Sequence, residues 1–151
     1  MQIKAVINEN FKDLELHVCK DKMDSEVREI ISTLHGFLDS KIVARDEIGN
    51  TVNLRPGEVI SLYASNQKVY ALSSDKQYTV QKKLYELENE LEKACFVRIS
   101  KSELVNYKMI KCLDMSMTGT IKLVMKNGYE TYTSRRNIVK IKEVLVKGNE
   151  R

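Results

Sequence analysis

Apolar positions recur along much of this chain at a period of two, in short runs parted by polar turns, and three stretches break that rhythm with spacings of three and four. Alternation marks half-buried strands and the wider spacing marks amphipathic helices. Residues 2–8 and 14–19 predict two strands, the second with Leu14, Leu16 and Val18 set against Glu15, His17 and Cys19. A helix follows, with Asp24 or Ser25 as N-cap and Val27, Ile30, Ile31, Leu34, Phe37 and Leu38 along one face. From Lys41 short strands return at 41–45 and 51–54, turning at Ile48-Gly49-Asn50, and Arg55-Pro56-Gly57 is a strong break holding the sole proline. Strands are then expected from Val59 through Tyr63, at 68–73 beyond an Asn66-Gln67 tip, and at 77–80. Residues 81–93 predict a second, surface helix with Leu84, Leu87 and Leu91 on one side. Further strands are expected at 110–115, 120–125 and 129–133, with Lys126-Asn127-Gly128 as an Asn-Gly hairpin in which both residues tolerate positive φ. A helix over 137–146 ends the chain, with Gly148 onward as a frayed tail. Turns every eight to twelve residues argue for a mostly antiparallel β-sandwich.

The residues at 96–110 carry the candidate chemistry. Phe96, Val97 and Ile99 precede, and Leu104 and Val105 follow, a polar apex of Ser100-Lys101-Ser102. This is a strand, an exposed loop and a second strand, holding one cation and two hydroxyls outside the core. Some 25 residues later an alternating strand runs into Thr133-Ser134-Arg135-Arg136-Asn137, which presents two guanidinium groups at a rim before the last helix. Lysine, arginine, serine and asparagine on firmly held loops suit phosphate and base-edge contacts.

Charge sharpens that picture. The formal net charge of +4 conceals a gradient, because residues 1–50 hold 7 basic against 10 acidic side chains while residues 93–151 hold 13 against 5. Such asymmetry fits a C-terminal part facing a polyanion, although lysines solvating strand faces would give a similar balance. With 151 residues and 42% hydrophobic content, the chain has enough for one ordinary domain or a domain with an extension. No apolar run approaches the roughly 18 residues of a membrane helix, and Met1-Gln2-Ile3-Lys4 opens no signal peptide, so a cytoplasmic protein is expected. Cys19, Cys95 and Cys112 are odd in number and widely spaced; they encode neither a disulfide framework nor a zinc site and are expected reduced and mostly buried. His17 and His35 do not pair. There is no nucleophile elbow and no phosphate-cradling glycine loop, so neither an enzyme nor a cofactor is expected.

From about Gly57 to Lys147 the chain resembles the LytTR family of bacterial transcription-factor DNA-binding domains. The resemblance rests on Gly57-Glu58-Val59-Ile60-Ser61-Leu62-Tyr63-Ala64-Ser65, Leu84-Tyr85-Glu86-Leu87 and Phe96-Val97-Arg98-Ile99-Ser100-Lys101-Ser102. It continues through Val105-Asn106, Ile110, Lys126-Asn127-Gly128 and Ser134-Arg135-Arg136. It implies an α+β, mostly β fold: an elongated antiparallel β-sandwich with flanking helices, preceded by a small strand-strand-helix extension. On this reading residues 1–50 form the extension, which packs or dimerises, and residues 51–151 form the DNA-binding domain. It further implies a sequence-specific regulator that inserts loops, not a recognition helix, into successive major grooves of double-stranded DNA at direct repeats. At least two copies would sit on the DNA, with a homodimer as one arrangement. Carried over by position, the contacts are Asn66, Gln67 and Lys68 after Tyr63, then Ser100, Lys101 and Ser102, then Arg135 and Arg136. The family often has histidine-arginine where Ser100-Lys101 stands here, so the resemblance does not carry over a base preference. About 50 N-terminal residues are too few for a phosphoacceptor receiver domain.

Plainer readings stand beside these. Arg135 and Arg136 would also serve as surface residues of a helix start, although cations there oppose the helix dipole unless an anion binds. Ser100 and Ser102 would stabilise their own turn. Asn106 reads as a cap or turn residue, and Tyr63, Tyr70, Tyr78 and Tyr85 as core or rim packing. The alternative function is a protein-interaction domain that keeps a LytTR-like fold without specific DNA binding.

Overall fold

The computed structural model describes residues 17–74, 76–91, 94–116 and 118–149. They fall into two units, Met1–Gly36 and Phe37–Arg151. The predicted strand at 2–8 and most of that at 14–19 lie outside the described residues, and His17, Val18 and Cys19 belong to no regular element. Helix α1 is Ser25–Asp39. Asp24 caps it: its carboxylate accepts the Val27 backbone N–H at 3.1 Å and pairs with Lys20 at 2.6 Å. The Lys20 ammonium and the Val27 amide hold the Asp24 carboxyl below its ordinary pKa.

The described residues of the second unit form ten strands. They are β1 Ile42–Arg45, β2 Thr51–Leu54, β3 Val59–Ser65, β4 Lys68–Ser73, β5 Gln77–Val80, β6 Phe96–Ser100, β7 Glu103–Asn106, β8 Ile110–Asp114, β9 Thr120–Met125 and β10 Glu130–Ser134. All pairings are antiparallel, in a seven-stranded sheet of order β2-β1-β5-β4-β3-β7-β6 and a three-stranded sheet of order β10-β9-β8. Strand β1 thus completes the large sheet through Ala44 opposite Val80, although the family resemblance begins later in the chain. Asp46 organises the β1–β2 turn: its carboxylate accepts from the Ile48 and Asn50 backbones and the Asn50 amide, while Gly49 takes φ 91°.

Two cores explain why several strands are apolar on both sides. Val59, Leu62, Leu104 and Phe96 face a core closed by Leu84, Leu87 and Leu91 of helix α2, Leu84–Glu90, and its C-terminal end. Ile60, Val97, Ile99 and Val105 face a second core with Ile121, Leu123 and Met125 of β9 and Ile138 and Ile141 of helix α3, Arg135–Asn149. The central strands are therefore sandwiched, and their alternation is blurred. Glu103 stitches the layers polar to polar. Its carboxylate accepts from Ser61 Oγ at 2.6 Å, Thr131 Oγ1 at 2.6 Å and Tyr129 Oη at 3.0 Å. Burial, together with the Glu103 charge and hydrogen bond, pushes the Tyr129 phenol up to about 12. Asn106 is structural, as the sequence suggested: its amide donates to Val59 O at 3.1 Å and its oxygen accepts the Lys108 N–H at 3.1 Å.

Several expectations need correcting. Helix α2 is shorter than 81–93, because the Glu86 carboxylate accepts the Lys83 backbone N–H at 2.7 Å and starts the helix at Leu84. Helix α3 starts two residues early and runs to Asn149, so both arginines lie in its first turn and Gly148 is helical. In the β9–β10 turn only Gly128 has positive φ, 89°; Asn127 instead accepts the Tyr129 N–H with its side chain at 3.1 Å. Of the cysteines only Cys95 is buried, since Cys112 points outward from the small sheet and Cys19 lies outside any element. Tyr85 is 56% exposed and is no packing residue.

Candidate nucleic-acid interface

Three polar segments meet at one end of the seven-stranded sheet. Strands β4, β3, β7 and β6 are consecutive neighbours, spaced about 4.8 Å apart. The β3–β4 tip and the β6–β7 loop are therefore side by side, and Ala64 N–H donates to Ser102 O at 2.8 Å to join them. The start of α3 is joined to the end of β6 in turn: Thr133 Oγ1 and Asn137 Nδ2 both donate to Ile99 O, at 2.8 and 2.7 Å. These bonds fix the β6–β7 loop against the first turn of α3.

The β3–β4 tip is a two-residue turn with Ser65 opposite Lys68. Asn66 and Gln67 take φ 50° and 62°, as a type I′ turn requires. Asn66, Gln67 and Lys68 are all exposed. In the β6–β7 loop the Ser100 hydroxyl accepts the Ser102 N–H at 3.2 Å and lies 3.4 Å from the Ser102 hydroxyl. Ser100 thus has the turn-stabilising role, Lys101 projects at the apex, and both Lys101 and Ser102 are exposed.

An open groove lies between this loop and α3. Arg98, Ser100 and Lys101 form one side; Tyr132, Ser134 and Arg136 line the other, with Ile99, Thr133 and Asn137 between. Of the predicted contacts, the groove brings together Ser100, Lys101 and Arg136. Ser102 and Arg135 border it without lining it, and Asn66, Gln67 and Lys68 stand outside it on the neighbouring tip. Among the described residues no carboxylate pairs with Lys101, Arg135 or Arg136. The first turn of α3 contains no acidic residue, so the helix's positive end and two guanidinium groups reinforce one another. That combination favours a bound anion such as a phosphate.

Sequence reasoning passed over Arg98 and Tyr132. Tyr132 is 49% exposed on the groove wall. Arg98 is held by Glu88 of α2 at 2.7 Å. The signal for Arg98 was present as an arginine interrupting a buried strand two residues before a polar apex. Among the described residues no cluster of His, Cys, Asp and Glu is placed to hold a metal ion, and no helix is long and apolar enough to cross a membrane.

Comparison with known proteins agrees with the fold. An uncharacterized HTH-type transcriptional regulator of Staphylococcus aureus strain NCTC 8325 is 32% identical over 154 residues, covering 96% of this chain and 98% of its own length. A counterpart from the bovine strain RF122 is 31% identical over the same span. The similarity therefore takes in the N-terminal segment. The solved LytTr DNA-binding domain of a methyl-accepting/DNA response regulator from Bacillus cereus superposes with a TM-score of 0.64 at 25% identity, covering 71% of this chain and 97% of that one. The staphylococcal proteins are described as helix-turn-helix regulators, yet in this chain strands separate each described helix from the next. Residues 49–146 match the LytTr DNA-binding domain, a span that holds the β3–β4 tip, the β6–β7 loop and the first turn of α3, and the chain belongs to that family.

Proposed function

We propose that this protein is a sequence-specific transcriptional regulator that reads double-stranded DNA with loops and the start of α3. The observation that carries the proposal is the meeting of Lys101 and Arg136 across one groove, with no carboxylate among the described residues paired with either. Lysine and arginine at the ends of firmly braced elements fix register on phosphates, and an arginine reaching a guanine edge adds sequence discrimination. The neighbouring tip, Asn66, Gln67 and Lys68, supplies a second set of donors beside the first. Entry into successive major grooves at direct repeats, with two copies of the chain on the DNA and a homodimer as one route to them, follows from the family reading. So does a cytoplasmic site of action. The description of the staphylococcal relatives as transcriptional regulators supports the same assignment.

Arg136→Ala tests it. If Arg136 reads a base, affinity for the preferred site falls by about 1–3 kcal/mol and discrimination at one base pair relaxes. A uniform loss on all DNAs makes Arg136 a phosphate contact instead. No change on any DNA removes it from the interface and favours a protein-interaction domain on the same fold.

A further inference from the structure

Arg98 lines the groove and carries a charge, so it invites assignment as another DNA contact. Its hydrogen bonds say otherwise. All three nitrogens of the guanidinium are engaged within the protein: Nε donates to Ser100 O at 2.7 Å, Nη2 to Lys101 O at 2.5 Å, and Nη1 to the Glu88 carboxylate at 2.7 Å. Both carbonyls lie at the loop end of the hairpin, just beyond the shift in β6–β7 register between Arg98 and Ser100. A backbone carbonyl at a turn apex needs a donor, and here one planar fork serves two of them. Glu88 lies on α2, which packs on β3, β6 and β7. Its carboxylate anchors the far end of the guanidinium, so helix, strand and loop form one braced unit.

We propose that Arg98 and Glu88 are positioning residues, a clamp that holds the Ser100-Lys101-Ser102 backbone in its DNA-reading shape without touching DNA. The proposal rests on the reading of that loop as a DNA-contacting segment. Arg98 shapes the apex from inside while Ser100 Oγ and the Ala64 N–H hold its other flank. Lys101 then projects from a backbone already fixed, and contact with DNA need not order it. Lysine cannot replace Arg98, since an ammonium lacks the flat fork that reaches two carbonyls and a carboxylate together.

Glu88 makes the test decisive, because two accounts predict opposite signs. As a mere negative charge near a polyanion, Glu88 would repel DNA, and Glu88→Gln would tighten binding to every sequence. As an anchor, its loss frees Arg98 and weakens specific binding. The experiment compares the full-length chain with its Glu88→Gln and Arg98→Lys variants. It measures affinity for the wild-type footprint and for random DNA across a salt series, and amide hydrogen exchange at Lys101 and Ser102 in the free protein. Expected is faster exchange at both amides in both variants, with affinity for the footprint falling about tenfold, as on losing one well-placed contact. Affinity for random DNA should hold, and the salt slope should not change. Tighter binding of Glu88→Gln to both DNAs with unaltered exchange overturns the clamp. So does an equal loss on both DNAs for Arg98→Lys, whose retained charge would then be failing at a phosphate. Faster exchange in a wild-type background that prefers no site at all would instead overturn the DNA-reading role of the loop.

Discussion

Gln67 occupies a backbone position that glycine would hold more comfortably. At φ 62° it follows Asn66 at φ 50°, and two successive left-handed residues are what a two-residue hairpin demands. Asparagine tolerates that region through its short polar side chain, whereas the longer glutamine keeps the Cβ clash without that local compensation. Gln67→Gly should therefore stabilise the fold by about 0.5–1 kcal/mol net of the added freedom of the unfolded chain, seen as a higher urea midpoint. Because it also deletes one candidate donor, the same variant shows whether Gln67 contributes to DNA affinity. Residue identity told much of this in advance: the polar tip, the Ser-Lys-Ser apex and the arginine pair were all legible. The role of Arg98 was not, although its place before the apex was, because its partners are backbone carbonyls and a carboxylate on a helix ten residues earlier, and a sequence displays neither.

Among elements, the sheets are held together through Glu103, which begins β7 directly after the β6–β7 loop and reaches Thr131 on β10 and Tyr129 beside it. Removing that carboxylate leaves the fully buried Ser61 hydroxyl and two further donors without their acceptor. Glu103→Leu should destabilise by about 1–3 kcal/mol, measured by denaturant unfolding. Tyr129 gives a second check. Its phenol holds its proton up to about 12 in the fold against 10.0 ordinarily, so the neutral form is what the fold favours. The associated stability is fully present below pH 10 and lost as pH rises toward 12. The stability difference between wild type and Tyr129→Phe should accordingly shrink across that window and nowhere below it. Most strands could be read from alternation, and 51–54, 68–73, 77–80 and 120–125 have the expected bounds. Boundaries failed where a side chain decides them, as at Glu86 in the first turn of α2, or where the helix begins on charged residues, as at Arg135.

For the whole molecule, non-local pairing set what the sequence could not display. Nothing near Ala44 announces that it will lie opposite Val80, yet that pairing brings β1 into the large sheet. Charge was more legible: 13 basic against 5 acidic side chains in residues 93–151 include Lys101, Arg135 and Arg136, which pair with no carboxylate among the described residues. That surplus fits a polyanion partner. Counterion release makes such binding fall as salt rises, but contacts to base edges should leave a preference for one sequence intact. The most direct test is binding of the purified chain to DNA from upstream of its own gene, with random DNA as control, at two salt concentrations. A single footprint bound more tightly than random DNA, and still preferred at the higher salt, is the predicted result. Equal, weak binding to both DNAs that vanishes with salt would contradict it, leaving only a basic surface.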